Sequence, residues 1–182
     1  MDPVDITVLA AVRNGAERLP TWLAHLERQG LSAVRFEVVV VDDGSTDATA
    51  RVLDRYAQGA PIRIRRVDTG GMGLLAAQNR GLEESRGRWI LLLDLDNLAS
   101  PQLLERHLEA QEAHEGDTIA VGSIARHPQF SASALTRWFL AEDAPPIRRA
   151  GMPRFLDCAG ANLSLPRAKA VHAGGFDEGL AF

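Results

Sequence analysis

Apolar runs of strand length alternate with segments of helical periodicity through the first two thirds of this 182-residue chain. The runs are Ile6 to Val12 (ITVLAAV), Phe36 to Val41 (FEVVVV) and Trp89 to Leu93 (WILLL), and Ile62 to Val67 (IRIRRV) adds a strand in which apolar and basic residues mix. A continuous apolar run without polar alternation predicts a strand buried on both faces of a sheet. Between the runs, Leu19, Trp22, Leu23 and Leu26 share one helix face, and Val52, Leu53 and Tyr56 share another. A third helix is predicted from the Gly70-Gly71-Met72-Gly73 loop to about Ser85, and a fourth from Ser100-Pro101, an N-cap with a first-turn proline, to His114. Thr118 to Ile124 predicts a fifth strand. Strands joined through helices lie parallel, because each crossover returns the chain to the edge it left. The fold class expected is α/β: a Rossmann-like, doubly wound, mostly parallel sheet with helices on both faces.

The pattern changes after Arg126. A short helix is expected over Ala134 to Glu142, carrying Trp138 and Phe139, then a strand over Phe155 to Leu165 and a helix over Pro166 to Ala173 stopped by Gly174-Gly175. Residues 1–126 read as one α/β half, and 127–182 as the start of a second half of the same domain that the end at Phe182 cuts short.

The net charge of −4 and the scattered basic residues argue against a nucleic-acid partner. No apolar run approaches the roughly 20 residues of a membrane span, the start Met1-Asp2-Pro3-Val4-Asp5 is acidic, and Cys158 is the single cysteine. The expectation is a cytoplasmic chain, with membrane association left to a longer parent. Cys158 itself reads as a small buried residue.

Ligands of open α/β sheets bind at the carboxyl ends of the strands. Three of the predicted strands end in polar residues there: Arg13-Asn14, Asp42-Asp43 and Asp94-Leu95-Asp96. Carboxylates gathered on one rim repel unless a cation or donors balance them. Oxygen ligands suit Mn2+ or Mg2+, which keep waters and bridge to phosphate. The expected metal ligands are therefore Asp96 with Asp94, awaiting a diphosphate. Asp42-Asp43-Gly44-Ser45 is assigned to the nucleoside, whose base edge or ribose hydroxyl donates to a carboxylate. The chain has neither a G-x-x-x-x-G-K-[ST] loop nor a G-x-G-x-x-G after its first strand. A nucleotidyltransferase would need a glycine- and lysine-bearing signature near that strand, which is absent too.

ITVLAAVRNGAERLPTWLAHL, EVVVVDDGSTDATARVL, GLLAAQNRG and GRWILLLDLDN occur in this order, followed by CAGANLSLPRAKAVHAGGFDE. The ordered blocks resemble those of family 2 glycosyltransferases of the GT-A fold. The last block resembles the acceptor-side block of the galactosyltransferase and N-acetylgalactosaminyltransferase group. The resemblance implies an inverting transfer of a sugar from a nucleotide-sugar donor, UDP-linked in expectation, to the hydroxyl of a saccharide or other acceptor. It implies that Asp42 and Asp43 read the nucleoside, that Asp94 and Asp96 are the D-x-D with Asp96 the direct metal ligand, and that Arg13 lies near the nucleotide. Asn79 and Arg80 fall in a donor-facing block, and Gly160 and Asn162 where donor sugar and acceptor meet. Two departures stand out. Asn97 follows the D-x-D where an acid is frequent, and the acidic pair that supplies the general base would come after Phe182. Asp177 and Glu178 match only the structural turn before it. The alternative reading is a nucleotide-sugar-binding fragment without turnover.

Each assignment has a plainer rival. Asp94 and Asp96 can cap a turn, and Asp42-Asp43 can serve as helix N-terminal charge. Arg13 reads equally as a surface arginine, and Asn79 as a backbone-bonding side chain. His25, His107 and His114 are expected to be solvated, and Trp22 and Trp89 to be core.

Overall fold

The structure, a computed structural model, describes residues 3–114, 118–124 and 162–179. Six strands and five helices follow in order: β1 (Ile6–Val12), α1 (Leu19–Glu27), β2 (Phe36–Asp42), α2 (Thr49–Ala57), β3 (Arg63–Asp68), α3 (Leu74–Glu84), β4 (Trp89–Leu92), α4 (Leu103–Ala113), β5 (Ala120–Val121), β6 (Leu163–Pro166) and α5 (Arg167–His172). They form one sheet of order β3-β2-β1-β4-β6-β5. The first four strands are mutually parallel, and β6 runs antiparallel to both β4 and β5. This is the Rossmann-like, mostly parallel α/β architecture expected from the alternation of strand and helix signals, and it agrees with the GT-A fold that the resemblance implied.

The β-branched runs form the centre. Every residue of β2 and of β4 is buried. Side chains alternate across the sheet. Ile6, Val8, Ala10 and Val12 meet Leu19, Trp22, Leu23 and Leu26 of α1, Leu53 of α2, and Leu104 and Leu108 of α4 on one face. Leu9, Val39, Val41, Ile90 and Leu92 meet Ala77 and Leu82 of α3 on the other, where Ala170 and Phe176 also pack. Both tryptophans expected in the core are there, Trp22 fully buried and Trp89 nearly so. Gly81 lets α3 lie close to the sheet: a Cβ there would stand 2.2 Å from Leu9 Cδ1 and 2.8 Å from Val41 Cγ2.

The chain winds outward from β1 through β2 to β3, then returns to the other side of β1 to form β4. The helix face changes with it, as right-handed crossovers require. The strand order therefore reverses between β1 and β4, and the loops after those two strands splay apart to leave a crevice.

Several boundaries differ from the sequence expectation. The fifth strand shrinks from Thr118–Ile124 to Ala120–Val121, because only these two residues find partners, Ser164 and Leu163. The fourth helix starts at Leu103, after a turn in which Leu103 N–H donates to the Ser100 carbonyl, so Ser100 does not cap it. Of the strand expected over 155–165, the described part begins at Leu163. The helix expected over 134–142, with Trp138, and Cys158 lie outside the described residues.

At the amino edge of the sheet a buried carboxylate ties strands and loops together. Glu37, 3% exposed, accepts from Thr7 Oγ1 at 2.9 Å, from Arg86 N–H at 2.7 Å and from Arg65 Nη2 at 3.3 Å. Removing it takes the acceptor from the buried Thr7 hydroxyl and from the Arg86 amide, while Arg65 keeps its bonds to Glu84. Glu37→Ala is expected to cost about 3 kcal/mol of unfolding free energy, measured by urea denaturation. A loss within about 0.5 kcal/mol, typical of surface substitutions, would contradict the role given to this carboxylate.

Candidate functional site

The register sets which residues reach the carboxyl edge. Val12 lies opposite Asp42, and Asp42 opposite Asp68, so these three strands end level. Leu93 N–H donates to the Leu9 carbonyl, and the chain then turns through Asp94, whose carbonyl accepts from Asn97 N–H. The loops carrying Arg13, Asp42-Asp43 and Asp94–Asp96 therefore leave one edge of the sheet side by side. Those of Arg13 and Asp94–Asp96 flank the crevice where strand order reverses.

Hydrogen bonds stitch these loops to each other. Asn14, at φ 56°, accepts through Oδ1 from the Thr46 and Asp47 amides, while its own N–H donates to Ser45 Oγ. Gly15 N–H donates to Thr49 Oγ1 and Ala16 N–H to Asp47 Oδ2. The Thr49 hydroxyl first, then the Thr49 and Ala16 amides, hold the Asp47 carboxyl below the usual carboxylate range. On the other flank, Asp43 is 7% exposed and accepts from Thr69 Oγ1 at 2.8 Å, Met72 N–H at 2.6 Å and Gly73 N–H at 3.0 Å. This carboxylate holds the glycine loop closed over the start of α3. Gly44, at φ 70°, permits the approach: a Cβ there would lie 2.9 Å from Gly71 N.

Asp42 accepts from Ser45 N–H through Oδ1, and its other oxygen has no partner among the described residues. Arg13 is exposed and makes no ion pair with a described residue. Asp94 is half-buried. Burial, and secondarily the charge of Asp96, hold its carboxyl above the usual range. Asp96 is exposed, and Arg18 Nη1 donates to its Oδ1 at 2.7 Å. Arg18 is a residue that sequence reasoning missed. No motif marks it, and only the fold brings it to Asp96.

Among the described residues, no group of three or more His, Cys, Asp or Glu side chains gathers into a metal cage. Asp94 and Asp96 nevertheless fit a divalent cation. They are oxygen donors at the mouth of a crevice, and Asp94, whose carboxyl is raised first by burial and then by the Asp96 charge, makes no ion pair with a described residue. Mg2+ and Mn2+ sites commonly use one or two carboxylates and leave the other positions to water and phosphate.

The remaining assigned residues lie elsewhere. Asn79, on α3, donates from Nδ2 to the Phe176 carbonyl and to Glu178 Oε1, and its Oδ1 accepts from Phe176 N–H. It clips the turn after α5 onto α3, the backbone-bonding role. Arg80 pairs with Glu83 and Glu84 on its own helix. Asn162, at φ 61° and 6% exposed, walls a hollow of about 270 Å3 between α4 and β5. Gly160 lies outside the described residues.

The histidines require a correction. His107 is 4% exposed rather than solvated, because α4 turns it under β6. Its Nε2–H donates to Asn162 Oδ1 at 2.9 Å, and its Nδ1 accepts from Ser164 Oγ at 2.8 Å. Ser164 Oγ in turn accepts from Gln111 Nε2, and Asn162 Nδ2 donates to the Ser123 carbonyl. With Ser164 Oγ already accepting from Gln111 and Asn162 Oδ1 as acceptor, the arrangement suits a neutral imidazole protonated on Nε2, while Gln111 Oε1 is buried without a partner among the described residues. His25 is half-buried and bonds the Ala99 carbonyl, whereas His114 is exposed as expected.

Glycosyl transferase family 2 matches residues 7–163. The chain belongs to this family. Among curated relatives, it is 25% identical over 115 residues to the poly(ribitol-phosphate) beta-N-acetylglucosaminyltransferase TarS of Staphylococcus aureus, which covers 63% of this chain and 20% of that protein. It is 29% identical over 200 residues to validoxylamine A glucosyltransferase of Streptomyces hygroscopicus, covering 95% of this chain and 47% of the relative. The family 2 chain thus spans half the length of these relatives or less. Among solved structures, S. aureus TarS 1-349 in complex with UDP superimposes with a TM-score of 0.76 at 18% identity, over 97% of this chain and 51% of the other. The mannosyltransferase PcManGT from Pyrobaculum calidifontis in complex with GDP-Man and Mn2+ gives 0.75 at 23% identity, over 97% and 48%. At these identities the likeness is one of fold. Among the described residues, no helix of the family 2 chain is long and apolar enough to cross a membrane.

Two outcomes follow from the rim and its neighbour. Asp43→Ala removes one acceptor from three donors and is expected to cost about 2 kcal/mol, with faster amide exchange at Met72 and Gly73. Unchanged exchange would separate Asp43 from the loop. His107 titrates in the opposite region of the molecule. Burial pushes its imidazole down from the ordinary value of 6.5, so the unfolded chain binds the proton first as pH falls. The stability it contributes is complete above about pH 6.5 and declines below, by up to ~1.4 kcal/mol per pH unit until the folded form also protonates. His107→Gln is expected to lower stability at pH 7.5 yet lose less between pH 7 and 5.5 than the parent does, as read by urea titration at each pH.

Proposed function

We propose that this chain is the donor-binding part of a glycosyltransferase that moves a sugar, with inversion, from a nucleotide-sugar, UDP-linked, to the hydroxyl of a saccharide or other acceptor. The observation that carries the reading is the placement of Asp94 and Asp96 at the mouth of the β1–β4 crevice, facing the Arg13 loop, with Asp42 on the neighbouring loop. Support comes from relatives whose names are glycosyltransferases, and from structural neighbours that hold UDP in one case and GDP-Man with Mn2+ in another.

In this reading residues 1–126 bind the donor, and 127–182 begin the acceptor side. The Asp42 oxygen left without a described partner accepts from the base edge or the ribose. Asp43 is assigned to the nucleoside with it, and its bonds to Thr69, Met72 and Gly73 also set the backbone around the pair. Asp96, with Asp94, holds Mn2+ or Mg2+, which supplies Lewis-acid stabilisation of the charge growing on the leaving diphosphate. Arg13 donates a charge-assisted hydrogen bond to the same diphosphate. Gly160 and Asn162 are assigned to the junction of donor sugar and acceptor. Asn162 and Ser100 wall a hollow between α4 and β5, and Ser100 follows the D-x-D loop in the chain, which supports placing the acceptor on that side. The acceptor hydroxyl attacks the anomeric carbon from the face opposite the diphosphate, and a carboxylate acting as general base takes its proton. The likeness of residues 158–178 to the galactosyltransferase and N-acetylgalactosaminyltransferase group belongs to this proposal, supported by the Asn79 clip that docks its last turn on the donor half.

Asp96→Ala is expected to abolish Mn2+-dependent binding of UDP, measured by calorimetry, while leaving the melting temperature of the free chain within about 2 °C, since the side chain is 75% exposed. UDP-Mn2+ bound as tightly as by the parent would remove the metal assignment. A thermal-shift screen of nucleotide-sugars with Mn2+ then selects the donor, because binding to the native state raises the melting temperature by mass action.

A further inference from the structure

The carboxylate assigned to the metal already has a cation. Arg18 stands at the end of the β1–α1 loop, immediately before Leu19 of α1, and reaches across the crevice so that Nη1 meets Asp96 Oδ1 at 2.7 Å. It is the single basic side chain that pairs with either carboxylate of Asp94-Leu95-Asp96 among the described residues. Both members of the pair are substantially solvated, with side chains 48% and 75% exposed, so the bond is breakable. No described carboxylate other than Asp96 pairs with Arg18, so its release leaves the guanidinium without an anion.

We infer that Arg18 is the resident counter-cation of Asp96, which a divalent metal must displace, and that this exchange couples metal binding to nucleotide binding. The inference rests on the reading of Asp96 as a metal ligand. The coupling follows from charge. A metal ion arriving alone puts two positive charges beside the guanidinium it has just displaced, and repulsion opposes the exchange. A metal arriving with a diphosphate brings the anion that the released guanidinium lacks, so each ligand favours the other. Arg18 is thus a positioning residue: before donor binding it fixes the Asp96 side chain and spans the crevice mouth. Arg13 has a different role, since it makes no ion pair with a described residue and so has none to exchange.

The experiment measures Mn2+ binding to the 182-residue chain by electron paramagnetic resonance, and UDP binding by calorimetry with and without Mn2+, for the parent, Arg18→Gln, Arg18→Lys and Asp96→Ala. Arg18→Gln is expected to bind Mn2+ alone about threefold more tightly, the scale of an exposed ion pair. The factor by which Mn2+ strengthens UDP binding is expected to fall at least as much. Arg18→Lys keeps the charge and is expected to stay near the parent in both. A purely structural arginine would shift the melting temperature and leave the metal affinity alone. Unchanged Mn2+ affinity and unchanged coupling in Arg18→Gln, with binding lost in Asp96→Ala, would overturn the exchange while leaving the metal site standing. Full Mn2+ binding in Asp96→Ala would overturn both.

Discussion

The parallel pairing of β1 with β2 on one side and β4 on the other is the constraint from which the site follows. Ile6 faces Phe36 across one ladder and Trp89 across the other, so three strands start level and end within a few residues of each other. A one-residue slip in either ladder would turn the Leu9, Val39 and Ile90 face toward the α1 side and reverse every polar residue at the edge. Because both faces are covered, by α1, α2 and α4 on one and by α3 and α5 on the other, no such slip is tolerated. The buried valines and leucines therefore place acids that never touch them.

A rim that gathers Asp42, Asp43, Asp47, Asp94 and Asp96 has to neutralise them, and it does so in two ways. Asp43 and Asp47 are saturated by backbone amides and hydroxyls, which convert charge into loop order. Asp94 is left with a raised carboxyl, and Asp96 is met by a solvated arginine. The first group already orders the loops, Asp43 through Thr69, Met72 and Gly73 and Asp47 through Ala16 and Thr49. The second can take a ligand at the loss of one exposed ion pair. Adjacent aspartates in sequence thus differ in their bonds: the Asp43 carboxylate accepts from three donors of the glycine-loop side, and the Asp42 carboxylate accepts from Ser45 N–H alone among the described residues.

Much of this was legible in the residues. Continuous apolar runs mark strands covered on both sides, and the FEVVVV and WILLL segments are the fully buried strands β2 and β4. The carboxylate pairs were legible because strand ends in a parallel sheet converge whatever the loops do. Side-chain partners were not. Asn79 bonds a turn 97 residues away, Asn14 bonds 32 residues away, and Arg18 reaches Asp96 over 78. None of these spacings has a local signature. His107 misled for a related reason. Leu104, His107, Leu108 and Gln111 share one helix face, and that face reads as only half apolar until Ser164 and Asn162 supply polar partners from β6.

That buried polar seam bears on the site through geometry. β6 is the antiparallel strand between β4 and β5, and it holds its place through Trp89 to Leu92, the same residues that aim Asp94 and Asp96. His107, Gln111 and Ser164 fasten β6 to α4, which follows the acidic loop in the chain. The acidic loop is therefore held at both ends, by β4 where it begins and by α4 where it finishes. Protonating His107 turns its Nδ1 from acceptor to donor toward Ser164 and breaks the balance of the seam. The loop's far anchor then loosens while β1, β2 and β3 remain packed. Acid should consequently unfasten the β5–β6 end of the sheet before the β1–β3 core, and the order is set by which core is apolar and which is a hydrogen-bonded chain with one titratable link.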